Sequence, residues 1–580
     1  MNICFVSMIE DLGCGALRAL SSYVKNRGHS SRVIFLPRRY SEGWGESISY
    51  RFPYSARTLE QVAKLCADSD IVGLSLMSCH FDNAVYLTEY LKKTINKPVI
   101  WGGVHPTIRP MECLNYADMV CVGEGELVLS ALLERLGNGS TIEDVSVSGL
   151  ITRANNKFSA ADRLCNLDEL GYPDFDMANQ FVLYDGNVVP LNGEIYAKYM
   201  NYSYRTTVCR GCLHDCSYCC NNVFKKLNTG KAPPIRWRSI DLQIEELRRA
   251  MELMPGISQI DFADDTFLAR PYEQIEAFAR RYRDEIGLDF RILTSPLTVT
   301  HEKIKVLAEA GLRFIGIGVQ SADEPTRRLY KRKESLERIK QAESVIRAVA
   351  KETSTDIMIR YDFIVDNPWT GEVDVEQSVR FALSLERPNE LCVFSLVFYP
   401  GTELYHKAKA DGIIKDDLNE SYRVTQLVPK GTYMNELLLL LSIGAPKWLV
   451  KLLLGIRGCP VILVRLLRKI FTVLIRNPRI FWFFLFMRFR HNRKQTFLRV
   501  WQKIKLDRRG RKLASILPRF EGRAGQISAG SISESGLPAG YAVKIITPVV
   551  SVDISETGRR RQQSGDFFPR PDKREESAHR

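Results

Sequence analysis

The sequence predicts an α/β protein: a doubly wound parallel sheet at the N-terminus, a partial (βα)6 barrel after it, and a basic α-helical C-terminal region. Three observations predict this. Short apolar runs without strand alternation recur between stretches whose apolar residues fall at helical spacing, the pattern of strands buried on both faces by helices. A weakly periodic stretch around Pro173 and Pro190 interrupts that rhythm once, so two such units follow one another. Beyond about residue 430 the rhythm stops, and long Leu, Ile and Phe stretches studded with Arg and Lys take over.

In the first unit, residues 1–150, buried strands are expected at Asn2 to Met8, Arg32 to Leu36, Ile71 to Met77, Pro98 to Gly103 and Met119 to Glu126. Helical spacing covers Gly15 to Arg27, Thr58 to Asp68 and Asp82 to Lys93. Such sheets bind ligands at the strand C-termini, which here are Gly- and Ser-rich loops where a backbone can approach a ligand closely. Residues 151–200 read as a connector. In the second unit, residues 201–428, strands are expected at Arg205 to Val208, Gln259 to Ala263, Phe290 to Thr294, Phe314 to Val319, Met358 to Val365 and Leu391 to Val397. Six βα units fall two short of a closed barrel. Residues 429–520 read as basic helices, and 521–580, polar and rich in Gly, Ser and Arg, as a disordered tail.

The chain has 580 residues, 45% hydrophobic and 26% charged, a composition that packs into several domains. Its net charge of +14 is unevenly placed: residues 441–520 hold 20 Lys and Arg against Asp507 alone, a net +19, and the first 440 residues carry a net −6. A nucleic-acid groove on the main body is disfavoured, because such a groove needs its cations on the domain that reads the backbone. In the basic segment, Trp448, Phe471, Phe481, Trp482, Phe483, Phe484, Phe486 and Trp501 alternate with cations. That mixture suits peripheral contact with an anionic membrane, with a helical cap packed on the barrel as the other reading. Arg476, Pro478 and Arg479 break its most apolar stretch below the roughly 20 residues of a spanning helix. Cutting the chain after about residue 435 is expected to leave the barrel intact. The start, MNICFVSMIEDLGCG, has no basic-then-apolar leader pattern, and the expected compartment is the reducing cytoplasm.

Five of the 14 cysteines, Cys209, Cys212, Cys216, Cys219 and Cys220, fall within twelve residues. Cys212, Cys216 and Cys219 give the spacing C-x3-C-x2-C. Three thiolates suit a [4Fe–4S] cluster that keeps one iron open to a ligand; zinc completed by Cys209, Cys220 or His214 is the competing reading. Cys209 and Cys220 are expected to be structural.

The segment from Arg210-Gly211-Cys212 through Cys216 to Tyr218-Cys219 resembles the cluster loop of the radical S-adenosylmethionine superfamily, with an aromatic residue before the third cysteine. The resemblance implies that the open iron chelates S-adenosylmethionine and that its cleavage yields a 5′-deoxyadenosyl radical that abstracts hydrogen from a substrate. Asp264 to Phe267 after the second strand, Gly316 to Ser321 on the fourth and Tyr399 to Thr402 after the last are similar to family segments. By the resemblance Tyr218, Asp264, Asp265, Gln320 and Ser321 face S-adenosylmethionine; Asp265 or Thr266 as a helix cap is the plain alternative. The fifth strand departs from the family, running into Asp366 where glycine is usual.

The first unit resembles the cobalamin-binding domain of one branch of that superfamily, through Gly102 to Thr107, Val122 to Glu126 and a preceding Ser75. The resemblance implies that Ser75, Ser78, Gly102, Gly103, Gly123 and Glu124 bed a corrinoid. The family's D-x-H-x-x-G loop is absent: Glu10 to Gly15 contains no histidine. The domain is therefore expected to bind cobalamin without a protein imidazole, or to serve as a scaffold, and His105 to act as a loop hydrogen-bonder. The implied reaction is methylation of an unactivated carbon in a small-molecule substrate, fed by a reductant such as flavodoxin or ferredoxin. Cyclisation or oxidation within the same branch is the alternative, as is a non-enzymatic iron–sulfur sensor with a fourth cysteine ligand.

Overall fold

The computed structural model describes residues 1–476 apart from 10–11, 13–14, 38–53, 231–232, 234, 425 and 457–459. The first sheet contains β1 (Asn2–Ser7), β2 (Ser30–Phe35), β3 (Ile71–Ser75), β4 (Val99–Gly102), β5 (Met119–Cys121), β6 (Leu150–Thr152), β7 (Gln180–Tyr184) and β8 (Asn187–Pro190). Their order is β6-β5-β4-β3-β1-β2-β7-β8, with β1 to β5 and β7 parallel to their neighbours and the two edge strands antiparallel. The direction of sequence order reverses around β1, so the C-terminal ends of β1, β3 and β4 open on one crevice. Burial of Ile3 to Ser7 on both faces explains why β1 reads as a continuous apolar run.

Residues 151–200 differ from the expected connector. β7 and β8 close the far edge of the first sheet as a hairpin whose two-residue turn, Asp185-Gly186, has φ of 48° and 79°. Positive φ at both positions matches the right-handed twist of the flanking strands, which is why Asp-Gly makes such turns.

The second sheet begins with β9 (Ser203–Thr206). A two-stranded flap of β10 (Cys209–Arg210) and β11 (Arg236–Trp237) follows, and then β12 (Gln259–Phe262), β13 (Asp289–Thr294), β14 (Leu312–Gln320), β15 (Met358–Val365) and β16 (Asn389–Ser395). The order β16-β15-β14-β13-β12-β9 is parallel throughout, the six-stranded partial barrel expected. Alternation along β15 sends Ile359, Tyr361, Phe363 and Val365 into the helix-covered core. The opposite face carries Arg360 and Asp362, an ion pair at 2.9 Å. Arg205 and Asp261 pair likewise on β9 and β12, at 2.9 Å.

Asp366 directly follows β15, and its φ of +68° is a conformation that favours glycine. Here an aspartate holds it because its carboxylate accepts from the Ser395 hydroxyl (2.6 Å), the Lys430 amide (2.9 Å) and Asn435 Nδ2 (2.7 Å).

The C-terminal region divides. In the helix Tyr433–Ser442, residues Leu437, Leu438, Leu440 and Leu441 are at most 3% exposed and belong to the barrel's core. A cut near residue 435 would unroof that core, which corrects the expectation that the barrel survives it. Helices Lys447–Gly455 and Val461–Arg476 follow. Among the described residues no helix is long and apolar enough to cross a membrane. The expected helices and tail over 477–580 lie outside the described residues.

Candidate functional site

The chain leaves β9, makes the short β10 strand and turns at Gly211, where φ is +113°, into a loop that carries Cys212, Cys216 and Cys219 and ends at the helix Cys220–Leu227. The barrel pins this loop. The Ser217 amide donates to Tyr330 O (3.2 Å), the Ser217 hydroxyl donates to Leu329 O (2.6 Å), and Ser217 O accepts from the Leu404 amide (2.9 Å). Tyr218 braces it from behind, edge-on to Tyr330 at 5.1 Å. Arg332 approaches the Cys216 thiol at 3.6 Å, and its other nitrogen donates to Gly318 O and Glu334, both at 2.9 Å. The Cys212 thiol lies 3.8 Å from the Thr266 hydroxyl.

Asp264 sits where β12 delivers its C-terminus. Its Oδ1 accepts from the amides of Val208 (2.9 Å) and Cys209 (2.6 Å), fixing the entrance to the cysteine loop, while the buried Oδ2 has no hydrogen-bond partner among the described residues. Burial pushes this carboxyl up to about 6. Cys209 is buried below the loop, and burial and the adjacent Asp264 raise its thiol far above the ordinary range.

A cavity of about 610 Å³ joins the two units. From the first sheet it is lined by Gly73, Ser75, Gly102, Gly103, Gly123 and Glu124, and from the barrel side by Arg210, Cys212, Asp264 and Asp265. Gly103, at φ +102°, passes so close to β3 that a Cβ would lie 2.9 Å from Leu76 O. Apolar walls come from Phe5, Leu17, Leu20, Ile100 and Leu129.

The expected residues divide accordingly. Ser75, Gly102, Gly103, Gly123, Glu124, Asp264, Asp265 and Cys212 meet at one cavity. Cys216, Cys219, Ser78, Tyr218, Gln320 and Ser321 are not among its lining residues, and each has another engagement or position. The Ser78 hydroxyl is 2.9 Å from Nδ1 of His105, a fully buried ring packed edge-on against Phe81 and Tyr422. Burial lowers His105 to about 3, so the ring is neutral. The Ser321 hydroxyl donates to Asp374 and accepts from the Asp323 amide at 2.9 Å. Gln320 ends β14 with φ at +67°.

The sequence reading missed what Glu124 touches. Its carboxylate accepts from Arg163 (2.9 Å), Arg210 (2.9 Å) and Arg236, and Arg210 also reaches Glu126 at 2.6 Å. Although burial opposes ionisation, these three guanidiniums hold Glu124 down at about 2. Arg210, two residues before Cys212, thereby ties the cysteine loop to the first sheet. Only its place beside the cluster motif could have signalled this.

Among the described residues no three His, Cys, Asp or Glu side chains converge on one point as ligands of a single ion do. Cubane thiolates sit on different irons, so a contiguous loop of three cysteines suits that group without such convergence. The cavity's glycines and apolar walls suit a flat macrocycle, and the unpartnered Asp264 Oδ2 offers an acceptor beside the cysteine loop.

A doubly wound sheet thus faces a three-cysteine loop on a six-stranded partial barrel, and the chain carries a Radical SAM superfamily domain and a B12-binding domain. The Radical SAM superfamily profile matches residues 206–362 and the B12 binding domain profile residues 14–133. The two domains imply a [4Fe–4S] cluster, S-adenosylmethionine and cobalamin as cofactors. Bacteriochlorophyllide d C-8(2)-methyltransferase of Chlorobaculum tepidum is 24% identical over 384 residues, covering 64% of this chain and 75% of that protein. The structure of the cobalamin-dependent radical enzyme OxsB with aqua-cobalamin and S-adenosylmethionine bound superposes with TM-score 0.55 at 16% identity, over 76% of this chain and 66% of that one. The radical methyltransferase TsrM from Kitasatospora setae gives 0.52 at 15%, over 71% and 77%.

Proposed function

We propose that the chain is a cobalamin-dependent radical enzyme that methylates an unactivated carbon of a small-molecule substrate. The observation that carries this is the single cavity lined by both the Ser75, Gly102 and Gly123 loops and the Cys212–Asp264 side. Methyl transfer is supported by relatives named as methyltransferases. When bound, the three cofactors supply hydrogen abstraction at carbon and a cobalt-carried methyl group.

The chain's own residues do the rest. Cys212, Cys216 and Cys219 hold the cluster on a loop fixed by Ser217 and Asp264. Asp264 Oδ2 and Asp265, at the mouth of that loop, would accept hydrogen bonds from S-adenosylmethionine, while Tyr218 braces the loop against Tyr330. The glycines of the first sheet let the corrinoid lie against the backbone. Among the described residues no histidine lines the cavity, and His105 is committed to Ser78. The apolar walls keep bulk water from the reacting carbon.

The test is anaerobic reconstitution of the full chain, measuring iron, sulfide and bound corrinoid, then 5′-deoxyadenosine and S-adenosylhomocysteine formed with a candidate substrate. Both products are expected in step. 5′-Deoxyadenosine without S-adenosylhomocysteine means cyclisation or oxidation, and a cluster that cleaves nothing means a sensor.

We also place the chain in the cytoplasm, touching the inner face of the membrane through helices Lys447–Gly455 and Val461–Arg476. Trp448 (59% exposed), Leu452 (56%), Ile462 (77%) and Leu466 (54%) face outward beside Lys451 and Lys469, and no acidic residue occurs between Leu441 and Arg476. Apolar side chains enter the headgroup boundary while the lysines meet lipid phosphates.

A further inference from the structure

Next to the cofactor cavity, and sharing Lys225 and Thr229 with it, lies a second concavity of about 620 Å³ whose charged lining is Asp215, Lys225, Lys226, Lys331, Arg332, Lys333 and Glu403. Five cations face two carboxylates. Each carboxylate is divided between two lysines: Asp215 between Lys225 (2.7 Å) and Lys333 (3.6 Å), and Glu403 between Lys226 (2.6 Å) and Lys331 (2.5 Å). A surface that only needed neutral pairs would match them one to one. With Arg332 paired to Glu334 at 2.9 Å, four lysines against two carboxylates leave a net +2 on a main body whose first 440 residues carry a net −6. The lysine side chains at positions 226, 331 and 333 are 61%, 50% and 65% exposed, so they are free to meet a partner.

The patch lies over the cysteine loop. Asp215 immediately precedes Cys216, and Arg332, between Lys331 and Lys333, turns inward to stand 3.6 Å from the Cys216 thiol. One side chain therefore spans the distance from the basic surface to a cluster ligand.

We propose that this face is the docking surface of an acidic one-electron carrier protein. The reading rests on Cys212, Cys216 and Cys219 holding a redox cluster. In the step concerned, the reduced carrier loses one electron, the cluster gains it, and no bond forms or breaks. Charge complementarity at the rim of an encounter surface acts mainly on association rate and its salt dependence. Lys226, Lys331 and Lys333 line this concavity and not the cofactor cavity, so a carrier docked on them approaches the cysteine loop from outside that cavity.

The experiment uses the reconstituted full chain and purified flavodoxin, with binding followed by titration calorimetry and cluster reduction by stopped-flow absorbance at several salt concentrations. The double variant Lys226→Glu/Lys333→Glu is compared with Lys64→Glu/Lys93→Glu, which makes the same change in net charge on exposed positions of the first unit. The patch variant is expected to slow association about tenfold and flatten its salt dependence, with the distant pair unchanged. Equal effects from both pairs, or none from the patch pair, overturn the docking site. Loss of cluster absorbance in wild-type protein instead overturns the cluster reading on which it rests.

Discussion

Cys212, Cys216 and Cys219 occupy a loop held by backbone hydrogen bonds, and removing one thiol leaves a cluster two ligands from a chain that cannot rearrange to supply another. Alanine at any of the three is expected to abolish iron and sulfide retention. Cys209→Ala should retain both, because Cys209 is buried beneath the loop beside Asp264. Equal loss at Cys209 or Cys220 would mean a closed, four-ligand site. His105 gives a pH prediction. Its value falls from an ordinary 6.5 to about 3 because burial excludes the charged ring, with Arg109 adding repulsion. Below pH 6.5 the unfolded chain takes up a proton that the folded chain refuses, so stability falls as pH drops from 6.5 toward 3, by about 1.4 kcal/mol per unit. Urea unfolding of the apoprotein at pH 7.0 and 5.5 should show this slope, and His105→Asn, which keeps a partner for Ser78, should make it shallower. An unchanged slope would place the acid sensitivity elsewhere.

At the scale of elements, the helix Tyr433–Ser442 closes the barrel through four leucines, and Asp366 at the end of β15 binds Asn435 within it. Truncation after residue 432 is therefore expected to give aggregated protein, while truncation after Arg476 should leave a folded chain that takes up iron. The same division bears on the membrane. Full-length protein should sediment with anionic vesicles more than with neutral ones, and high salt should weaken that binding without removing it, because salt screens phosphate attraction but not apolar insertion. Trp448→Asp/Leu452→Asp should lower sedimentation several-fold without loss of fold, since both side chains are more than half exposed. If that variant sediments like the wild type, these helices are a cap and nothing more. The Asp185-Gly186 hairpin was legible locally, but the surrounding prolines and weak alternation concealed it.

For the whole molecule, the joint between the two units combines apolar packing with a buried ionic network. Glu124 faces three arginines, and Glu124→Ala would leave them crowded together with an uncompensated positive charge, a loss of about 3–5 kcal/mol for a buried network of this kind. Thermal unfolding should drop accordingly and corrinoid uptake should fall. Glu124→Gln, which keeps the shape and one acceptor, should recover part of it. If both variants melt like the wild type, the joint is held by packing alone.

Contiguous residues are enough to read the C-x3-C-x2-C loop, the alternating strands and helices of both sheets, and the glycines that end β4 and follow β5. Ligand loops and hydrophobic periodicity act over a few residues, so spacing records them directly. Tertiary structure alone decided which predicted residues meet. Glu124 reaches Arg210 across 86 residues, Ser321 turns to Asp374 across 53, and Lys226 and Lys331 share Glu403 from separate elements. Those partners are set by how the two sheets stack and where each strand ends, and no local pattern in the chain encodes that placement.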